Sequence, residues 1–240
     1  MKVAFVGPTL PDASPLAEGI VVRPPAAQGD ILRAVESGAS AIGLIDGNFE
    51  YVAPVWHKEI LYALSQGVEV FGAASMGALR AAECAAFGMV GVGEIYRQYA
   101  TGERVDDADV ALLHGPAELN YLPLTLPLVN VDATLAHLEE SRSLSAELCI
   151  AIRTAAAGIF YKERTWLAIC ESAGLAKDMN VAVLAGVLTG AVIDQKRLDA
   201  LQLLDAVQHA QTQRTVVPRD WKFNSTSMWK SLSGQPDASS

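Results

Sequence analysis

The 240-residue sequence has little cysteine, few aromatic side chains and no excess of positive charge. Its three cysteines, Cys84, Cys149 and Cys170, are an odd number with no CxxC spacing and no neighbouring histidine pair, which excludes a disulfide framework and a zinc knuckle. They are expected as reduced core residues, because an unpaired cysteine behaves as a small apolar side chain. No metal site is expected. Aromatics make up only 7% of the chain, so a core must come from Ala, Val, Leu and Ile, with helices packed closely through Ala and Gly. The hydrophobic share of 51% supplies enough material for that core. Lys and Arg number 18 against 27 acids, a formal net charge of −9, which argues against broad contact with nucleic-acid backbone or an anionic membrane. Long apolar runs are missing too. The strongest, 181–193, contains two Gly and one Thr and falls short of the ~17 residues a membrane span requires. Only four apolar or small residues separate Lys2 from Gly7, too few for the hydrophobic region of a signal peptide. A soluble, cytoplasmic protein is expected.

Short apolar runs at 3–6 (VAFV), 41–45 (AIGLI) and 68–72 (VEVFG) alternate with helix-like segments at 30–37 and 54–66, each closed by a glycine, Gly38 and Gly67. This is a βαβαβ pattern of buried parallel strands. The third run leads straight into 76–87, apolar almost all round, where only Arg80 and Glu83 intervene, three apart and able to pair on one face. Four acids in GERVDDAD at 102–109 suit a helix N-cap near Asp106 or Asp107. His114 and Glu118 could pair across Gly115 and Pro116, although two residues do not make a metal site. From about Asp132 to Gln213 the pattern is helical. The fold class is therefore α/β: an N-terminal βαβαβ-type parallel sheet with flanking helices, followed by a helical C-terminal half. The expected division is an α/β core over 1–130, a helical region packed on it over 131–216, and a tail over 217–240. Trp221, Phe223 and Trp229 argue that the first part of that tail docks on the body or on a partner.

Right-handed crossovers gather the loops leaving the three strands, at Gly7, Asp46 and Ala73, on the carboxyl edge of the sheet, where open α/β proteins bind ligands. There GAASMGAL at 72–79 places Ser75 between a strand and a helix. Ala73 and Gly77 stand two before and two after it, the small-residue spacing by which hydrolases expose a nucleophilic serine, with Ala in place of the first Gly. The N–H of Met76 can then stabilise an oxyanion. Equally, Ser is a preferred N-cap, and Ser75 can be that alone. A base is offered by His57 or Lys58. On a helical wheel Trp56, Ile60, Ala63 and Leu64 form the core stripe, which leaves Lys58 opposite and solvated; its neighbours Leu61 and Tyr62 could instead desolvate the amine. His57 is the competing base or a hydrogen-bonded structural residue. A phosphate loop is disfavoured, because Ala78 and Leu79 stand where Lys and Ser or Thr must be. Residues 88–94, GMVGVGE, are rich in Gly but follow no expected strand, so no nucleotide cofactor is expected.

The stretches GPTL at 7–10, PPAAQGDI at 24–31, IGLIDG at 42–47, VWHKEI at 55–60 and FGAASMGALRAAE at 71–83 together resemble the TfuA-like family. The likeness continues through FGMVGVGEIY at 87–96 and HGPAE at 114–118 and fades after about Thr134. The resemblance implies a hydrolase that releases sulfide from a thiocarboxylated ubiquitin-like sulfur carrier. It also implies assistance to a YcaO-type enzyme in backbone thioamidation of a ribosomally made peptide. It assigns a catalytic pair to Ser75 and Lys58. Gly7, Thr9, Met76, Gly77, Asp46, His57 and Arg80 become candidates for oxyanion or substrate binding, and Gly72, Ala73, Ala74 and Gly77 for the lining of a narrow entrance for the carrier tail. Glu83 and His114 could shape the site or only the fold. Two other functions remain open: a non-catalytic adaptor delivering peptide to the YcaO enzyme, and a generic serine ester or amide hydrolase.

Overall fold

Val3, Ala4 and Phe5, Ala41 to Leu44, and Val70 to Ala73 are buried on both faces, as strands covered by helices on two sides require. They lie at the centre of a five-stranded parallel sheet in the computed structural model, which describes residues 1–48, 52–176, 179–215 and 220–233. The first elements are β1 (Lys2–Phe5), α1 (Ala13–Leu16), β2 (Ile20–Arg23), α2 (Asp30–Glu36), β3 (Ala41–Leu44), α3 (His57–Ser65), β4 (Glu69–Ala73), α4 (Met76–Cys84), β5 (Val90–Val92) and α5 (Gly93–Thr101). The helices α6 (Leu128–Glu140), α7 (Ala146–Gly158), α8 (Trp166–Ser172), α9 (Val181–Gly190), α10 (Gln195–His209) and α11 (Ser227–Ser233) follow. Strand order is β2-β1-β3-β4-β5, with Ile42 opposite Val3 on one side and Val70 on the other.

Alternate side chains divide the core. Val3, Phe5, Ile42, Leu44 and Val70 meet apolar residues of α2, α3 and α4, while Ala4, Val6, Ile45, Phe71 and Ala73 meet Ala13 of α1 and Ala200, Leu203, Leu204 and Val207 of α10. Because the chain leaves β1 along one face and β3 along the other, the direction of crossover reverses between these two strands, the point at which open sheets form a crevice. The strands β2 and β5, unforeseen from the sequence, are the two edges. Val21 and Val90 are exposed, and β5 has only three residues with Gly91 at its centre, so neither shows a buried apolar run.

Two compact units are present, one of residues 1–104 with 199–240 and one of residues 105–198. The expected division was at 130 and 216; α10 begins in the second unit and continues in the first, where its stripe of Ala200, Leu203, Leu204 and Val207 covers the sheet. The 105–198 unit has its own core of α6, α7, α8 and α9, built on Leu135, Ile152, Ile169 and Leu188. In it Asp106 caps a short 3₁₀ turn at Asp107–Asp109, accepting the Ala108 N–H at 2.9 Å. The apolar run at 181–193 forms α9, ten residues long, and no helix among the described residues is long and apolar enough to cross a membrane. Cys84, Cys149 and Cys170 are free and buried, and burial pushes all three thiols up, that of Cys84 to about 11. Of the tail expected over 217–240, residues 217–219 and 234–240 lie outside the described residues.

Candidate active site

Two residues, Ala74 and Ser75, turn the chain from β4 into α4. Ala74 has a left-handed φ of 66°, which costs a residue with a Cβ roughly 1–2 kcal/mol. The Ser75 N–H donates to Ala73 O at 2.7 Å and tightens the turn. Ser75 occupies the N-cap position, yet its hydroxyl caps nothing and makes no hydrogen bond among the described residues. The capping hydrogen bond expected of a plain N-cap serine is not made. The residue is 8% exposed, and Gly72, Ala73, Ala74 and Gly77 around it are all buried.

Backbone donors beside the hydroxyl are few. Gly77 N–H donates to Ile45 O at 3.1 Å and Ala78 N–H to Ser75 O at 2.9 Å, whereas Met76 N–H has no partner among the described residues. The donors of the Gly7–Thr9 loop, expected to face an oxyanion, are engaged elsewhere. Gly7 N–H and Thr9 N–H donate to Asp46 Oδ2 at 2.8 and 3.1 Å, and the Thr9 hydroxyl donates to Asp46 Oδ1 at 2.5 Å. A buried carboxylate must be satisfied internally, and this one, 2% exposed, links the segments that follow β1 and β3 through those three donors. Gly72 and Gly77, expected to line an entrance, also pack closely against backbone. A Cβ on Gly77 would lie 1.7 Å from Leu44 O, and one on Gly72 would lie 2.1 Å from Gly77 O, so the chain's own backbone occupies that space.

The lysine arrives on α3. The first turn of α3 is fixed by Glu59, whose fully buried carboxylate accepts the N–H groups of Gly29 at 2.8 Å, Trp56 at 3.3 Å and Leu32 at 3.4 Å. Burial pushes this carboxyl above its ordinary value despite those three donors. His57 Nε2 donates to Glu83 Oε2 at 2.7 Å, Arg80 pairs with the same carboxylate at 2.7 Å, and Arg80 Nε donates to Val55 O at 3.2 Å. The first turn of α3 is thus pinned to α4 beyond Ser75.

Lys58 is half-buried. Its Nζ donates to Thr226 Oγ1 at 2.9 Å and lies 5.7 Å from the centre of the Phe223 ring and 6.0 Å from that of Trp56. No hydrogen bond joins it to Ser75. The side of α3 opposite its core stripe is covered by the C-terminal segment, where Tyr62, Phe223 and Trp229 form an aromatic cluster with centroids 4.9 to 5.4 Å apart and Trp229 is 1% exposed. The contact of Thr226 with Lys58 was not visible from the sequence. The only signal was the presence of three aromatics in a stretch otherwise composed like a tail.

His114 belongs to the 105–198 unit and does not pair with Glu118; its Nδ1 bonds Gly115 O at 2.7 Å. That unit also has a cavity of about 510 Å³ lined by Leu124, Leu126, Trp166, Leu167 and Ala185 among others, which includes none of the expected site residues. No group of three metal-ligating side chains is present among the described residues.

These features define a class: a parallel α/β protein with an uncapped serine at a strand-to-helix turn and a lysine on the preceding helix. Residues 46–165, half of the chain, match the model of the TfuA-like protein, and the chain belongs to the TfuA-like family, which is associated with thioamidation. The match contains Lys58 and Ser75, begins after the motifs at 7–10 and 24–31, and continues past Thr134. No curated protein matches the chain.

Proposed function

We propose that this protein hydrolyses the C-terminal thiocarboxylate of a ubiquitin-like sulfur carrier and supplies the sulfide to a YcaO-type enzyme for backbone thioamidation. The single observation that carries this proposal is the Ser75 hydroxyl, uncapped at a tight β4–α4 turn beside the unengaged Met76 N–H. Ser75 Oγ attacks the thiocarboxylate carbon while its proton passes to the Lys58 amine. The Met76 N–H faces the oxyanion that forms. Collapse of the tetrahedral species breaks the C–S bond, the lysine ammonium protonates the departing sulfur, and hydrosulfide leaves. Water then attacks the acyl-enzyme, with Lys58 again taking the proton, and releases carrier carboxylate and Ser75. Lys58 bonds Thr226 rather than Ser75 in the structure, and the reading requires the Lys58–Ser75 hydrogen bond to form in the substrate complex, where catalytic hydrogen bonds often tighten.

Sulfide release from a thiocarboxylated carrier tests this directly. Ser75→Ala is expected to lower the rate about 10³-fold or more, and Lys58→Ala about 10²–10⁴-fold, with unchanged circular dichroism. Wild-type rates in both variants would exclude the dyad. Turnover of simple esters as fast as the carrier would indicate a generic hydrolase. One observation favours the adaptor alternative, the bonding of Lys58 to Thr226 rather than Ser75. In that case Ser75→Ala would still support thioamidation by the YcaO partner whether sulfide comes from the carrier or is added free.

A further inference from the structure

Residues 223–229 form an aromatic wall against α3. Trp229 is almost wholly buried, its ring meets those of Tyr62 and Phe223, and Trp221 packs edge-on against Phe87 at 5.6 Å. Within that wall Thr226 precedes α11, with its Oγ1 3.4 Å from the Trp229 N–H. The same oxygen accepts from Lys58 Nζ at 2.9 Å. Detaching this segment would expose the buried Trp229 indole to water.

We propose that Thr226 is a positioning residue for Lys58: its hydroxyl accepts one N–H of the amine and gives it one orientation for proton exchange. The proposal rests on Lys58 acting as the base in the reaction above. A long, unbranched side chain has many rotamers, and an amine useful as a base must keep its lone pair toward the nucleophile. A bond through one N–H leaves that lone pair available. A base oriented by a third group is the general form of an activated nucleophile. The rings of Phe223 and Trp56 contribute to the same end, because their faces attract the ammonium that forms once the proton has been taken.

The test uses the 240-residue chain with Thr226→Val, which keeps the shape but removes the acceptor, and Thr226→Ser, which keeps the acceptor. Sulfide release from the thiocarboxylated carrier should fall about tenfold or more in kcat for Thr226→Val, with KM within about twofold, and return to within about threefold of wild type for Thr226→Ser. A second readout does not depend on activity. Lys58 acylation by a succinimidyl ester, followed by peptide mass spectrometry against the other lysines of the chain, should rise several-fold in Thr226→Val and stay near wild type in Thr226→Ser. Wild-type kcat in Thr226→Val, or equal loss in both variants, would overturn the proposal, as would unchanged labelling. If Ser75→Ala and Lys58→Ala release sulfide like wild type, the dyad itself is excluded and the catalytic purpose of Thr226 falls with it. The labelling then still reports whether the Lys58–Thr226 contact exists.

Discussion

Single residues set the geometry around Ser75. Ala74 holds a backbone conformation that residues with a Cβ avoid, and such conformations persist where the surroundings over-determine them. The surroundings here are Gly72 and Gly77. The helix α4 can start directly behind β4 and against β3 only because Gly77 has no side chain, since a Cβ there would overlap Leu44 O at 1.7 Å and crowd Leu44 C at 2.6 Å. Both atoms are backbone of the central sheet, so no rotamer change relieves the clash. Gly77→Ala is therefore expected to destabilise the fold by more than about 3 kcal/mol. Urea denaturation measures this, and a midpoint within experimental error of wild type would show that α4 is not held so closely. Much of this was legible from GAASMGAL, whose run of small residues marks close approach. The identity of what approaches was not. The same glycines fit a ligand channel or a packed backbone equally well until the neighbouring strand is known, and here the neighbour is β3.

Between elements, the link of α3 to α4 runs through one carboxylate. Burial alone would raise the Glu83 pKa, but hydrogen bonds from His57 and Arg80 outweigh it and hold the carboxyl below its ordinary 4.5. With the folded value below the unfolded one, the unfolded chain binds more protons between the two, so stability from this group is fully present above the ordinary value. It is lost as pH falls through the lower folded value. Glu83 is 43% exposed, and solvent screening limits the contribution to about 1 kcal/mol or less. Glu83→Gln should therefore be less stable than wild type at about pH 7 by that amount, and the difference should vanish near pH 3. Denaturant titrations at the two values check the sign, and a gap that widens in acid would contradict it. The Arg80–Glu83 pair was readable from three-residue spacing on one helix. Its extension to His57 was not, since it depends on how α3 and α4 lie side by side. Lys58 shows the same limit: the helical wheel places it opposite the core stripe, but nothing in 54–66 shows that Phe223, Thr226 and Trp229 return to cover that side.

Across the whole molecule, the chain comes back to a sheet it left about a hundred residues earlier. Residues 200, 203, 204 and 207 follow the i, i+3, i+4, i+7 spacing of an amphipathic helix, so α10 was legible as a helix. Periodicity identifies the apolar stripe and is silent about which surface it covers, which is why the unit boundary falls at 198 and not at 216. The consequence is energetic. Leu203 and Val207 occupy the space a Cβ on Gly43 would need, 2.7 and 2.9 Å away, and with Leu204 they are nearly or fully buried on the sheet. At about 1.5–3 kcal/mol for each buried aliphatic side chain, these three contribute roughly 5–9 kcal/mol, against a typical total stability of about 5–15 kcal/mol. Asp199, whose carboxylate accepts the Ile95 N–H at 2.7 Å at the start of α5, would be lost with them. A chain ending at Leu198 should therefore lose its cooperative thermal transition, while one ending at Thr215 keeps α10 and should still melt cooperatively, below wild type because Trp229 and its aromatic partners are missing. Circular dichroism melts of the two truncations separate these outcomes. A chain of residues 1–198 that unfolds cooperatively at the wild-type temperature would mean that α10 adds nothing to the sheet's stability and that the sheet is complete without it.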